Sequence, residues 1–421
     1  MLNTFFGRLL GRSGKPQRKK PIRRQASLRL EVLEDRWVPA TLSVGPGHTY
    51  LHIQDAVDAA HSGDKIKVYS GTYTEQVKIT KSNLTLTTTG PDAAIQAPAS
   101  LTGSMAIIDV IGAKHVTIDD FNLVGNSSTQ YGIKVENGAS ATITNNSIKN
   151  ITGSGGAGIV VGKSIEGTFG SAVIVNNVVQ NYTKAGIVID NVGSTGAVFN
   201  NCVVGQGASA SIVQYGIQVS FGANADVECN DVSGNSLQSG ADSAGILVIQ
   251  SGTCTEIEGN YAHNNEFGVF IVSSSSVEIS GNWSANNSND GIQLLGASCN
   301  TVTWNVVVSN AGDGISIYGD VPLSQGGFGA ANNNVIANNL IANNGGNGVT
   351  IDLAAGTLIL GNIILDNGTN GVSGDNSGIA VQDGSSHTTI AFNFIDADDG
   401  TSAISISNST QTTTTCNFIT H

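Results

Sequence analysis

The sequence is most informative where it lacks positive charge. No Arg occurs after Arg36 and no Lys after Lys184, so the last 237 of the 421 residues carry no permanent cation. Phosphate backbones are neutralised by Lys and Arg, which argues against a nucleic-acid partner. Anionic membrane surfaces are disfavoured for the same reason. Charged residues of both signs make up only 12%, yet 40% of the chain is apolar, which excludes a disordered polyelectrolyte. No apolar run approaches the roughly 20 residues that span a bilayer as a helix. The five cysteines are odd in number and form no CxxC pair, so no disulfide framework is implied. They read as small apolar side chains inside the fold rather than as metal or redox groups. Proline is scarce, at 7, while Gly reaches 53 beside abundant Asn, Ser, Thr, Val and Ile. That is strand and turn chemistry, poor in helix formers.

The two ends of the chain differ in charge. Residues 1–40 hold ten Lys and Arg against three acids, and the remainder holds nine Lys against twenty-nine Asp and Glu. The apolar stretch at Phe5, Phe6, Leu9 and Leu10 is short and broken by Arg8, unlike an ordinary signal-peptide core. Residues 33–40, LEDRWVPA, resemble the N-terminal motif of exported planctomycete proteins. The resemblance implies an exported, extracellular or cell-surface protein. Residues 1–40 are therefore set apart as a basic export segment, and residues 41–421 as the folded domain.

Residues 49–64, TYLHIQDAVDAAHSGD, place Ile53, Ala56, Val57 and Ala60 at helical spacing, with Gly63 to end the helix. A short amphipathic helix before a strand series can cover the open end of a solenoid. A cap is expected over about 49–80, and repeated coils over about 81–421. From Val116 onward a Gly followed by an alternating β-branched pair recurs, from Gly132-Ile133-Val135 to Gly378-Ile379-Val381, every 23 to 34 residues. Ala403-Ile404-Ile406 is an eleventh such unit. Interleaved with it is an Asn three residues after one apolar residue and two before another: Asn146, Asn177, Asn201, Asn230, Asn305, Asn339, Asn362 and Asn393. Each strand is too short to bury its face alone. Coiling stacks equivalent strands in parallel at ~4.8 Å, so each Ile/Val column packs on itself and each Asn can bond the coil above and below. The Gly would supply a positive φ or a close approach at a corner. A β-sandwich or propeller needs no fixed Asn column. The expected fold is all-β, a right-handed parallel β-helix with a short N-terminal capping helix. The block from Ile53 to Glu75 resembles the start of pectin-lyase-like β-helix proteins, and the repeats resemble those of the pectate-lyase-like and NosD-like families.

Stacking converts register into neighbourhoods. Asp226, Glu256 and Glu278 occupy one outward column, and Glu228 and Glu258 another. Five carboxylates on one face with no basic neighbour repel, unless protonated or bridged by a cation such as Ca²⁺, which takes oxygen ligands. The alternative is a solvated acidic face. Asp290 and Asp313 precede Gly on adjacent coils, the kind of close carboxylate pair that glycoside chemistry uses. Asp before Gly is equally an ordinary turn residue. Trp283 and Trp304 flank the Asn register on adjacent coils and could stack on neutral sugars. Residues 319–332, GDVPLSQGGFGAAN, form the longest excursion and so a place for binding. His263 and His387 stand alone.

The resemblance also defines what is missing. Pectate lyases use an Arg base, polygalacturonases a Gly-His-Gly and an Arg-x-Lys, and alginate epimerases an Asp-Pro-His; the repeats contain none of these. Metal handling in the manner of NosD-like proteins lacks a Met or His cluster. The expectation is a non-catalytic scaffold binding polysaccharide or a surface protein, with a polysaccharide-active enzyme as the alternative. The chain stops at residues 416–421 in mid-register, where an uncovered edge could support self-association.

Overall fold

A computed structural model describes residues 38–90, 92–237, 242–368, 377–397 and 402–420. Most of the export segment lies outside them. Residues 39–421 form one compact unit. Its strands assemble into three sheets that contain only parallel pairings. Sheet A runs through fifteen strands, from Thr41–Val44 to Thr413–Thr415. Sheet B has fourteen, from Gly71–Thr74 to Phe418–Thr420, and sheet C thirteen, from Val77–Ile79 to Ser402–Ile406. Within a coil the chain passes from C to A to B, as in Tyr131–Glu136, Ala139–Thr144 and Ser147–Ile151. Each strand pairs with its equivalent one coil away, Ile133 with Ile159 and Ile143 with Ile174.

The register puts like on like. Inward Ile, Val and Leu form one core from Val44 to Ala403. Burying each such side chain contributes about 1.5–3 kcal/mol as an upper bound. The stack begins earlier than the repeat pattern: Thr41–Val44 pairs with Lys65–Val68, and that strand with Thr85–Thr88. The helix is Ile53–Ala59, with Ile53, Ala56 and Val57 buried, and it ends before Gly63.

The Asn column is a continuous ladder at the A–B corner. The Oδ1 of Asn201 accepts the backbone N–H of Asn177 at 2.9 Å and its Nδ2 at 3.0 Å. Asn201 Nδ2 donates in turn to Asn230 Oδ1 and to the carbonyls of Ile174 and Phe199. Asn260, Asn282 and Asn417 belong to the same ladder. A second ladder at the B–C corner links Asn235, Asn265, Asn287, Asn310, Asn344 and Asn367. A third, short one pairs Asn300 with Asn334 at the C–A corner.

The repeated glycines serve close approach, not positive φ. A Cβ on Gly132 would lie 2.5 Å from the Gly158 carbonyl oxygen and 2.7 Å from Ile148 Cγ2. Positive φ falls instead on the residue before each ladder Asn. Asn145, Asn176 and Asn200 take it, but so do Cys229, Trp304, Phe392 and Cys416. This corrects the reading of the cysteines as interior residues. All five are free thiols. Cys229, Cys254, Cys299 and Cys416 are exposed, and Cys202 is half-buried on the outer face of sheet B. Cys229, Cys299 and Cys416 occupy the left-handed turn position, where the side chain projects to solvent.

Candidate functional site

The outer face of sheet C carries the densest chemistry. One outward column runs Lys78, Asp109, Lys134, Val160, Val188, Gln218, Leu247, Phe270, Gln293, Ser316. At its N-terminal end lies a cleft of about 660 Å³ whose walls include Gln54, Gln76, Gln130, Ser104 and Glu166. Lys134, only 2% exposed, sits on its floor and bonds Glu136 at 2.9 Å and Glu166 at 2.5 Å. Burial alone would lower its pKa, but the bonds it donates to Glu166 and Glu136 hold the ammonium above its ordinary value. Beside it Asp109 is 4% exposed and lines the same cleft, and its Oδ1 has no hydrogen-bond partner. Burial pushes the Asp109 carboxyl up to about 6, opposed by a bond from Ser104 and reinforced by the charge of Glu136.

Further along sheet C the face turns aromatic. The ammonium groups of Lys134 and Lys163 lie 5.4 and 5.8 Å from the Tyr131 ring, and Lys184 lies 4.3 Å from that of Tyr215. Phe267 and Phe270 stack at 4.9 Å within a second apolar cluster.

Asp290 and Asp313 come next, and the structure does bring them together. Both are buried. Each gives one oxygen to the stack: Asp290 Oδ1 accepts the Asp313 backbone N–H at 2.8 Å, and Asp313 Oδ1 accepts that of Asn347 at 2.7 Å. Asn347 Oδ1 then accepts the backbone N–H of Ser377, so the carboxylates do what an amide does one coil later. The second oxygen of Asp290 takes Ser316 Oγ at 2.5 Å and Gln293 Nε2 at 3.1 Å. The second oxygen of Asp313 faces Tyr318 Oη at 3.4 Å. Burial, then the charge of Asp313, pushes Asp290 up to about 7. Burial and the same pair raise the Tyr318 phenol.

The five carboxylates of sheet A stand in register, Asp226 with Glu256 and Glu278, and Glu228 with Glu258. Partial burial and then Glu258 push Glu228 up. Among the described residues no three His, Cys, Asp or Glu converge to hold a metal. Trp283 and Trp304 are both exposed. Trp283 meets Tyr261 edge-on at 6.1 Å beside a cleft of about 490 Å³. Tyr261 also stacks on His263, whose Nε2 lies 3.0 Å from Asp231. His387 takes a left-handed turn position. The excursion at residues 319–332 folds back on earlier coils, Ser273 Oγ donating to the Phe328 carbonyl.

Asp109, Lys134, Glu136 and Glu166 were not among the residues singled out from sequence. The Asp109 strand carries Ile107 where later coils carry Gly, so its register is hidden. The usable signal was Lys134 and Glu136 at outward positions of Tyr131–Glu136, where the next coils carry Val160 and Val188 in the Lys134 column.

A family model described as right-handed beta helix region matches residues 94–232. The chain is a right-handed parallel β-helix. A second family model, described as periplasmic copper-binding protein (NosD), matches residues 199–395 of this β-helix. Among solved structures, the A-module of an Azotobacter vinelandii mannuronan C-5 epimerase is 14% identical, over 88% of this chain and 94% of its own, with a TM-score of 0.51. A tailspike protein mutant of E. coli bacteriophage HK620, in complex with a pentasaccharide, is 13% identical over 88% of this chain and 78% of its own, with a TM-score of 0.55. A search of curated protein sequences gave no match. Copper takes Cys, Met and His donors held together. Here Met105 is the one described Met, the exposed cysteines sit on separate coils, and no donor trio forms among the described residues, so those residues do not fit a copper centre. No described helix is long and apolar enough to cross a membrane.

Proposed function

We propose that the protein is an exported, non-catalytic glycan-binding β-helix whose saccharide site is the N-terminal cleft of sheet C. The observation that carries this reading is Asp109: a buried carboxylate with an unpartnered oxygen, lining an open cleft of amides and hydroxyls. A buried acceptor without a partner costs free energy, and a ligand hydroxyl arriving there recovers it. Lys134 and the Gln side chains supply donors, so the wall offers the mixed hydrogen-bonding groups that a polyhydroxyl ring presents in return. The pentasaccharide held by the HK620 tailspike shows that a fold of this kind can carry an oligosaccharide. Export rests on residues 33–40.

Binding of a glycan panel by the purified protein tests the reading, scored against Asp109→Asn and Gln130→Ala. At least a tenfold loss of affinity in both variants is expected, with unchanged far-ultraviolet dichroism. Binding that ignores both substitutions would overturn the cleft as the site.

A second reading, a polysaccharide-active enzyme, is favoured by one observation, the raised carboxyl of Asp290 beside Asp313. New reducing ends or unsaturated products that vanish in Asp290→Asn would establish it. The stack bonds that each carboxylate already makes, and their burial, favour the binding reading.

A further inference from the structure

The C-terminal coils carry an outward surface of a different kind. The strands Thr301–Thr303, Val306–Val308, Val335–Ala337, Leu340–Ala342, Leu358–Leu360 and Ile363–Leu365 contain no charged residue. Their central residues are buried and the flanking ones point outward. Ten of those twelve outward side chains are apolar, Thr301 and Thr303 being the exceptions. Along sheet B, Trp283, Val306, Leu340, Ile363 and Phe394 stand in one column on successive coils. Contiguous apolar surface of this extent marks an interaction site.

The turn beside this face adds a second, independent observation. Trp304 and Phe392 adopt φ of 59° and 58°, and each is 68% exposed. A bulky residue in the left-handed region is sterically costly, and other coils avoid the cost at this position with Asn338, Gly259, Gly281 or Gly361. Here two large aromatic side chains are held outward at the edge of the patch, against local preference and without packing in return.

We propose that this face of sheets A and B is the interface with a second copy of the same chain. The six coils from Tyr261 to Phe394, taken as strand, turn and strand, cover about 700 Å² per copy, against roughly 600–1,000 Å² per partner in stable dimers. The three central coils of the face have no charge with which to choose a charged partner. The carboxylates on its outer coils, Glu256, Glu258 and Glu278, repel anionic lipid, and no Lys or Arg follows Lys184. A twofold axis across the solenoid near Leu340 pairs the sheet faces in opposite directions. The end that carries Glu256, Glu258 and Glu278 then meets the partner copy's Phe394 end, where Asp396 is the one strand carboxylate, instead of its own equivalent.

Light scattering of the full chain over a wide concentration range tests this. A doubled mass that dissociates on dilution is expected, with Leu340→Lys/Ile363→Lys monomeric throughout. Trp304→Gly is the variant that a folding defect cannot mimic. Gly suits its backbone, so its melting midpoint is unchanged or higher while dimer affinity falls at least tenfold. A wild type that is monomeric at every concentration overturns the proposal. So does a dimer that both variants leave intact, or a monomer whose face instead binds zwitterionic vesicles.

Discussion

The coils up to Lys184 and those after it share one interior and differ in almost everything outside it. The earlier coils carry every lysine of the folded domain, and Lys134, Lys163 and Lys184 lie against carboxylates or tyrosines of sheet C. The later coils have no cation, three Asn ladders in place of one, and a broad apolar face. The interior is therefore generic, and specificity is written in outward columns that vary independently of it. The corners follow the same division. Where the later chain turns tightly at the B–C corner, Asn265, Asn287 and Asn310 bond coil to coil. The equivalent earlier turns are irregular, and Gly153, Thr129 and Thr183 close them individually.

If the interiors are equivalent, breaking the ladder in either half has the same effect. Asn201→Ala and Asn339→Ala each strand a buried N–H and two or more carbonyl or amide groups, so each lowers stability by about 4 kcal/mol in urea unfolding. Unequal losses would mean that the additional ladders share the load. The outside predicts asymmetry. Lys134→Met leaves Glu136 and Asp109 buried without their cation and costs roughly 3 kcal/mol. Thr350→Val, on the corresponding face of the later coils, removes a neutral acceptor of the Asn347 amide and costs about 1 kcal/mol.

Asp290 gives the comparison a pH signature. Its folded carboxyl is raised to about 7 from 3.8, so the folded state binds the extra proton between those values. Stability from this group is present in acid and is lost as pH rises towards 7. The groups facing it are Asp313, Gln293 and Ser316. Asp290→Asn keeps the ladder acceptor and removes the charge. It should be more stable than wild type by roughly 1–3 kcal/mol at pH 8, with the gap closing near pH 4. A gap independent of pH would show that Asp290 is not the titrating group.

The smallest effect belongs to the solvated acids. Glu258→Gln relieves repulsion with Glu228 and gains a few tenths of a kcal/mol, screened away by salt. Melting curves with Ca²⁺ and with chelator test whether a cation bridges the acidic columns, coincident curves leaving them a solvated face. A calcium-dependent midpoint would instead make the acidic columns a third functional region.

The three-sheet solenoid was legible because burial imposes period two and stacking imposes one register on every coil. Asn146 and Ile143 are enough to locate their equivalents. Asn260 and Asn282 escaped notice because Ala262 and Ser284 follow them instead of a β-branched residue. The second ladder escaped because its positions fall among other turn asparagines. The register alone puts Asp226, Glu256 and Glu278 in one outward column and Asp290 and Asp313 on adjacent coils. The Asp109 cleft was not, since its coil lacks the Gly that marks the register and its walls come from irregular loops. The cysteines were misplaced because sequence does not reveal that a left-handed turn position will take Cys229 or Cys416 in place of Asn.

The Asn ladder also has a direction. Every side-chain amide donates towards the C-terminal neighbour and accepts from the N-terminal one. From Asn146 to Asn417 the dipoles are therefore aligned head to tail down a buried, low-dielectric line. Aligned amides polarise one another, and their positive end points towards the later coils. The solenoid thus carries an electric polarity opposite to that of its ionic charges, whose cations all lie at the other end. Reversing one amide would set two carbonyl oxygens, or two N–H groups, face to face. The ladder therefore acts as a one-way valve on register, fixing which end of each coil can accept the next.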